Sequence, residues 1–256
     1  MTTGLKDKTI LITGASRGIG EAAARHFAAK GANVVLAARS GGAIATIAEE
    51  IRAAGGTATA LPCDVSDAAA VKTAVDRAVA EFGGLDGLIN NAAVIDPIGH
   101  IADTDPAAWS AAVDINVKGV YFGLHAALPV MLERGGGTIV NISSGAATGV
   151  LEGWSAYCCT KAAVLSLTKA THKEYADRGI RVMGLSPGTV ATQMQREIKA
   201  SGLNPVSELD WEDHIPPEWV AQGLAFLFEG DADAWLGTDF SLKTAEGRAA
   251  AGLPAL

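Results

Sequence analysis

Short aliphatic, β-branched runs alternate along this chain with longer stretches whose apolar positions recur every three or four residues. The first run, Ile10-Leu11-Ile12, has no polar alternation, as a strand buried on both faces requires. Residues 33–38, 57–61, 85–90, 138–142 and 180–185 repeat it, and a last strand is expected near 240–243. Between them the spacing predicts helices over 21–30, 44–54, 67–82 and 155–178, and one long helix from Asp105 towards Arg134. Ser66 or Asp67 suits an N-cap, Asp105-Pro106 is an N-cap with proline in the first turn, and Gly135-Gly136-Gly137 stops the long helix. Repeated β-α units of this length give an α/β chain of one domain: a doubly wound parallel sheet of about seven strands, helices on both faces. Two segments break the rhythm, 94–104 and 189–217. Both follow strands at the edge where ligands of open α/β sheets bind, so both are expected to wall a pocket, the second as a substrate lid.

Composition narrows the function. The 256 residues are 49% hydrophobic and 19% charged with a formal net charge of −8, a compact body with no basic stripe for nucleic acid or an anionic membrane surface. No apolar run is read as reaching the roughly 18 residues of a membrane span. The opening Met1-Thr2-Thr3-Gly4 stretch shows no apolar signal-peptide core. Cys63, Cys158 and Cys159 have neither disulfide nor metal spacing, so reduced thiols, no metal and a cytoplasmic location are expected.

The chain is organised around Thr13-Gly14-Ala15-Ser16-Arg17-Gly18-Ile19-Gly20, a glycine turn between first strand and first helix. Such a turn presents backbone N–H groups and a positive helix end to a phosphate. Tyr157 and Lys161 lie four apart on one predicted helix face. A free tyrosine, with a pKa near 10, is a poor acid at neutral pH, and an adjacent ammonium favours its phenolate. Ser144 ends the fifth strand within reach of the same place, and Asn116 is a polar residue in an otherwise apolar helix that needs partners if buried.

These residues, in this order, resemble the short-chain dehydrogenase/reductase family, of carbonyl reductase/alcohol dehydrogenase type, over nearly the whole chain. The glycine turn matches its cofactor motif, Asn90-Asn91-Ala92-Ala93 is similar to its N-N-A-G, and Ser186–Thr192 matches its P-G-x-x-x-T stretch. Asn116, Ser144, Tyr157 and Lys161 match its catalytic tetrad. The resemblance implies a Rossmann-type fold and a hydride passing between a nicotinamide and a carbonyl carbon. Tyr157 would exchange the proton, Ser144 orient the substrate oxygen, and Lys161 hold the nicotinamide ribose and depress the Tyr157 pKa. Asn116 would anchor a water in a proton relay. Gly14, Ser16, Gly18, Ile19 and Gly20 would hold the cofactor. Asp64 and Val65 would reach the adenine, Asn90 and Ala92 line the adenosine side, and Pro187, Gly188, Val190 and Thr192 hold the carboxamide.

The second strand ends Ala37-Ala38-Arg39 with no acid for a ribose 2′-OH. Arg39 and Arg17 offer two guanidiniums to a 2′-phosphate, so NADP(H) is the expected cofactor. Ala93 departs from the family's glycine, and the stretch 236–248 lacks its usual Gly-Gly close. The walls at 94–98, 146–154 and 194–211 predict an uncharged, largely apolar ketone or secondary alcohol. A 3-oxoacyl thioester reductase and a non-catalytic NADP-binding regulator are the alternatives. Apolar residues such as Val120, Leu124, Leu128, Val164 and Leu167 go beyond what one sheet face should absorb, and with the resemblance they imply a homodimer or homotetramer.

Overall fold

The computed structural model describes residues 4–255, so the first three residues of the opening stretch lie outside it. Seven strands form one sheet in the order β3-β2-β1-β4-β5-β6-β7, every neighbouring pair parallel. They are β1 (Thr9–Thr13), β2 (Asn33–Ala38), β3 (Thr57–Pro62), β4 (Gly87–Asn90), β5 (Gly137–Ile142), β6 (Ile180–Ser186) and β7 (Asp239–Ser241). The helices are α1 (Gly18–Ala29), α2 (Gly41–Ala53), α3 (Ala68–Phe82), α4 (Pro106–Val113), α5 (Gly119–Glu133), α6 (Ser155–Tyr175), α7 (Gln193–Ser201), α8 (Pro217–Glu229) and α9 (Ala245–Ala250).

Successive strand residues face opposite layers. Ile10, Ile12, Val34 and Leu36 pack on the side of α1, α2 and α8, while Leu11, Val35 and Ala37 pack on the side of α3, α5 and α6. This two-sided burial is why the strands read as unbroken apolar runs. Asp67 caps α3 by accepting from the Ala69 N–H, and Asp105 caps α4 by accepting from Ala107 N–H. The strand order reverses beside β1, between β1 and β4, and the crevice above that switch point is where this architecture binds ligands.

Three expectations need correction. The long helix is not continuous: a π-helical turn, Asp114–Lys118, separates α4 from α5. The cause is Asn116, whose buried side chain pairs with another segment rather than with its own helix. Residues 106–133 together are also long and apolar enough, by length and composition alone, to cross a bilayer, contrary to the reading above. Their apolar residues go into this chain's own core. Val120, Leu124 and Leu128 of α5 are buried against β4, β5 and α3, Val164 is buried in the same cluster on α6, which packs on β6, and Leu167 packs at the edge. They are therefore not surplus, and they carry no argument for a dimer.

Candidate active site

All seven strands end at one edge of the sheet, and a cleft of about 1000 Å³ runs along it. Gly14, Ser16, Arg17, Gly18, Ile19, Arg39, Asp64, Val65 and Ala92 line one end. Ser144, Tyr157 and Lys161 line the other, with Pro187, Gly188, Val190 and Thr192 between. The sheet thus brings together residues up to 178 positions apart.

The glycine turn is built by clearance. Gly14 and Gly18 have positive φ, 64° and 58°. A Cβ on Gly14 would lie 2.8 Å from Ala92 Cα. One on Gly20, in the first turn of α1, would strike the Gly14 carbonyl and lie 2.7 Å from Asn91 Nδ2, so only glycine lets α1 sit this close. Arg17 is the extended residue before α1 and makes no side-chain cap, and Gly18 and Ile19 of the uncapped first turn border the cleft. A cradle of free N–H groups rimmed by two exposed arginines fits a dinucleotide phosphate. Asp64 is anchored by Ser66, whose hydroxyl and N–H both donate to Oδ1. These bonds first, and the Arg39 charge after them, hold its carboxyl below the usual range.

Three predicted residues do not line the cleft: Gly20, which packs beneath the turn as described, Asn116, described below, and Asn90. Asn90 was expected beside the adenosine, but its amide points between strands, donating to Asn141 Oδ1 at 2.9 Å and packing against Gly123. Strand pleating turns its neighbour to the cleft instead. Asn91 donates from Nδ2 to the carbonyls of Thr13 and Gly14, at 2.9 and 3.1 Å, and pins the glycine turn to β4. The doublet Asn90-Asn91 was the only signal for it. Ala93 needs no glycine conformation, since Asp7 is the one non-glycine with positive φ among the described residues.

At the other end, α6 places Tyr157 and Lys161 one turn apart and buried, at 8% and 3% exposure. Lys161 Nζ donates to the Ile142 carbonyl at 2.6 Å and lies 5.6 Å from the Tyr157 ring centre. Burial pushes the phenol up to about 12, with the Ser144 hydroxyl pulling the other way. Burial draws the Lys161 ammonium down to about 8, opposed by Asp239. Desolvation is the largest influence on the phenol in this buried setting.

Asn116 is buried and does not border the cleft. Its Oδ1 accepts from the Val94 N–H, and its Nδ2 donates to the Val94 carbonyl and to Thr160 Oγ1, at 2.8, 2.8 and 3.1 Å. It ties the 94–104 loop to α6 at a residue between Tyr157 and Lys161. Thr160 was not anticipated from the sequence.

The lid, expected as an irregular insertion, contains the helix α7. Its feet are stapled by backbone bonds, Ala191 N–H to the Ile215 carbonyl and Ile215 N–H to the Thr189 carbonyl, at 2.9 and 3.1 Å. Its tip is held by Asn204, whose Nδ2 donates to the Glu152 carbonyl at 3.0 Å. Ile95, Ala146, Trp154, Tyr157, Cys158 and Ile198 form a small apolar cluster there, with Leu151, Met194 and Val206 against it. Trp211 is not part of this wall; it faces a smaller groove beneath the Arg196 guanidinium. Among the described residues no cluster of metal-ligating side chains occurs.

Residues 8–202 match the short chain dehydrogenase family. The chain belongs to that family. This short-chain dehydrogenase is 35% identical over 243 residues to a 2,5-dichloro-2,5-cyclohexadiene-1,4-diol dehydrogenase of Sphingobium indicum, covering 94% of this chain and 97% of the relative. It is 34% identical to a cyclohexanol dehydrogenase of an Acinetobacter strain, covering 94% and 95%. A short-chain type dehydrogenase/reductase structure from Mycobacterium marinum superposes with a TM-score of 0.85 at 32% identity, covering 94% and 95%. The protein is an oxidoreductase, and the cofactor of its family is a nicotinamide dinucleotide.

Proposed function

We propose that this short-chain dehydrogenase interconverts an uncharged, largely apolar ketone and its secondary alcohol with NADP(H), Tyr157 serving as acid and base. The observation that carries the reading is the burial of the Tyr157 phenol between Ser144 and Lys161 in an apolar pocket, at one end of a cleft whose other end bears Arg17 and Arg39. Two relatives named for six-membered-ring alcohols favour an alicyclic substrate. Asp96 and Glu197 border the cleft, as does Lys243.

The bound cofactor would supply or accept the hydride at the carbonyl carbon. Gly14, Gly18, Ile19, Gly20 and Ser16 would hold its phosphates, Arg17 and Arg39 its 2′-phosphate, and Asp64, Val65 and Ala92 its adenosine. Pro187, Gly188, Val190 and Thr192 would hold its carboxamide. In reduction, Tyr157 Oη gives its proton to the substrate oxygen as that oxygen gains charge, and Ser144 orients the same oxygen. Lys161 stabilises the resulting phenolate. Ile95, Leu151, Trp154, Met194, Ile198 and Val206 exclude water around the reacting atoms.

The test follows NADPH and NADH oxidation at 340 nm with cyclohexanone, a cyclic diketone, linear ketones and an acetoacetyl thioester. Tyr157→Phe should lower kcat about 10²- to 10⁴-fold, the range for a positioned general acid, with folding intact. Arg39→Asp should move preference towards NADH by about tenfold or more, since one charged hydrogen bond of ~1.5–3 kcal/mol becomes a repulsion. Tight NADPH binding without turnover, and no change in Tyr157→Phe, would favour the regulator instead. A homodimer or homotetramer is retained as part of this reading, and light scattering on a size-exclusion column checks it.

A further inference from the structure

Three consecutive residues at the end of β5 each face a different partner. The Ile142 carbonyl accepts from Lys161, the Ser143 hydroxyl donates to Asp239 Oδ2 at 2.6 Å, and Ser144 adjoins Tyr157. Asp239 opens β7 and is paired in register with Gly184 of β6. A side chain at 184 would occupy the place of Asp239 Oδ1, so the glycine is what allows the carboxylate to turn inwards over β6 towards β5. That Oδ1 is buried and has no hydrogen-bond partner. A carboxylate drawn out of water with one oxygen unpaired stays ionised only where a positive charge offsets its burial.

We infer that Asp239 is a positioning residue for the reacting pair: it fixes the end of β5 through Ser143 and serves as the counter-charge that keeps Lys161 an ammonium. The inference rests on the reading of Tyr157 and Lys161 given above. The geometry supplies the first half and, for the second, sets Lys161 and Asp239 on neighbouring residues at the end of β5. Pinning Ser143 fixes, on either side of it, the carbonyl that Lys161 grips and the hydroxyl that meets Tyr157. The charge half follows from what surrounds the lysine. Burial favours its neutral form, the phenol on its own helix is uncharged at neutral pH, and Asp239 is the charge that opposes the loss of the proton. From α6, Lys169 also faces the carboxylate, and His172 packs against Gly237, two residues before it. The Asp239 carboxyl is itself raised by burial and lowered by Ser143, Lys161 and Lys169.

The experiment titrates the side-chain ammonium of Lys161 by ¹H–¹⁵N NMR in ¹⁵N-lysine-labelled, cofactor-free protein, with the resonance assigned by Lys161→Arg. Asp239→Asn preserves shape and removes the charge. It should lower the Lys161 midpoint by about half a pH unit or more, as loss of a nearby opposite charge does. The alkaline limb of kcat/KM should move down with it, and Asp239→Glu should restore both. A Lys161 titration unmoved in a folded Asp239→Asn protein overturns the inference. Should that variant not fold, Ser143→Ala retains the carboxylate but unties it from β5, and it must lower kcat several-fold; an unchanged kcat overturns the positioning role. If Tyr157→Phe keeps full turnover, the assignment of the reacting pair fails, while the titration of the cofactor-free protein still decides for or against Asp239.

Discussion

At the arginine end of the cleft, the wall is made of turns leaving adjacent strands, and its fit is decided by backbone clearance. At the tyrosine end, a helix side chain pair meets segments from loop 94–104, the 145–154 stretch and the lid, and the fit is decided by side chains reaching between them. Asn91 binds two carbonyls of the glycine turn, so one amide fixes a piece of main chain. Asn116, Asn204 and Asp239 instead bridge segments that share no strand pairing with each other. The contrast is between an end that can tolerate no added atom and an end that can be adjusted one contact at a time.

The sharpest way to break the contrast is Gly20→Ala. The added methyl has nowhere to go, since the Gly14 carbonyl and the Asn91 amide already occupy its place. Overpacking of this kind costs about 1–3 kcal/mol, and relief would displace the turn that the cofactor uses. We expect a lower melting temperature together with a loss of NADPH affinity, read by fluorescence titration. Gly145→Ala, at the tyrosine end, has nothing within 4 Å of its Cβ and should change neither. If both glycines tolerate alanine equally, the two ends do not differ as described.

The same division explains what could be read from the chain. The strands, the α3 and α4 caps and the glycine turn were legible because each is a local pattern with one physical cause. Tyr157, Lys161 and Ser144 were legible by resemblance, and the fold brings them together as that implied. Three features were not. Asn90 and Asn91 are adjacent, and only strand pleating decides which one meets the glycine turn. The π turn at Asp114–Lys118 is created by a partner, Val94, about twenty residues away, which periodicity cannot see. The burial of Tyr157 was hidden too, because helix spacing gives its distance from Lys161 but not its degree of burial.

A smaller effect concerns pH. Lys161 releases its proton near 8 in the folded protein and near 10.5 when unfolded, so between those values the unfolded state binds more protons. Stability therefore gains from this group as pH rises through about 8. Cys63, raised from 9.0 to about 11, and Tyr157, raised from 10.0 to about 12, act in the opposite sense above pH 9 and 10. The window that isolates Lys161 is thus pH 8 to 9. Thermal unfolding of Lys161→Met should lack the wild-type rise there; an identical slope in both proteins would place the lysine in a wetter setting than its 3% exposure indicates.

The smallest expected effect tests whether the tyrosine end is truly adjustable. Asn204 is buried, its Nδ2 donating to the Glu152 carbonyl and its Oδ1 accepting from the Val206 N–H, so it links the lid tip to the stretch before Trp154. Asn204→Ala removes both bonds, at about 1 kcal/mol each for ordinary neutral hydrogen bonds. The lid feet remain stapled by the backbone bonds between 189–191 and 215, so the main body should keep its melting temperature to within a few degrees. Chemistry at Tyr157 should be unaffected once substrate is in place, because neither bond touches the tyrosine. The cost should therefore appear as a several-fold rise in KM for the ketone with kcat and NADPH affinity retained. A fall in kcat at constant KM would mean that the lid tip acts on the reacting pair itself, through Trp154, whose ring meets Tyr157 edge to face at 5.7 Å, and the tyrosine end would then be as tightly constrained as the glycine turn.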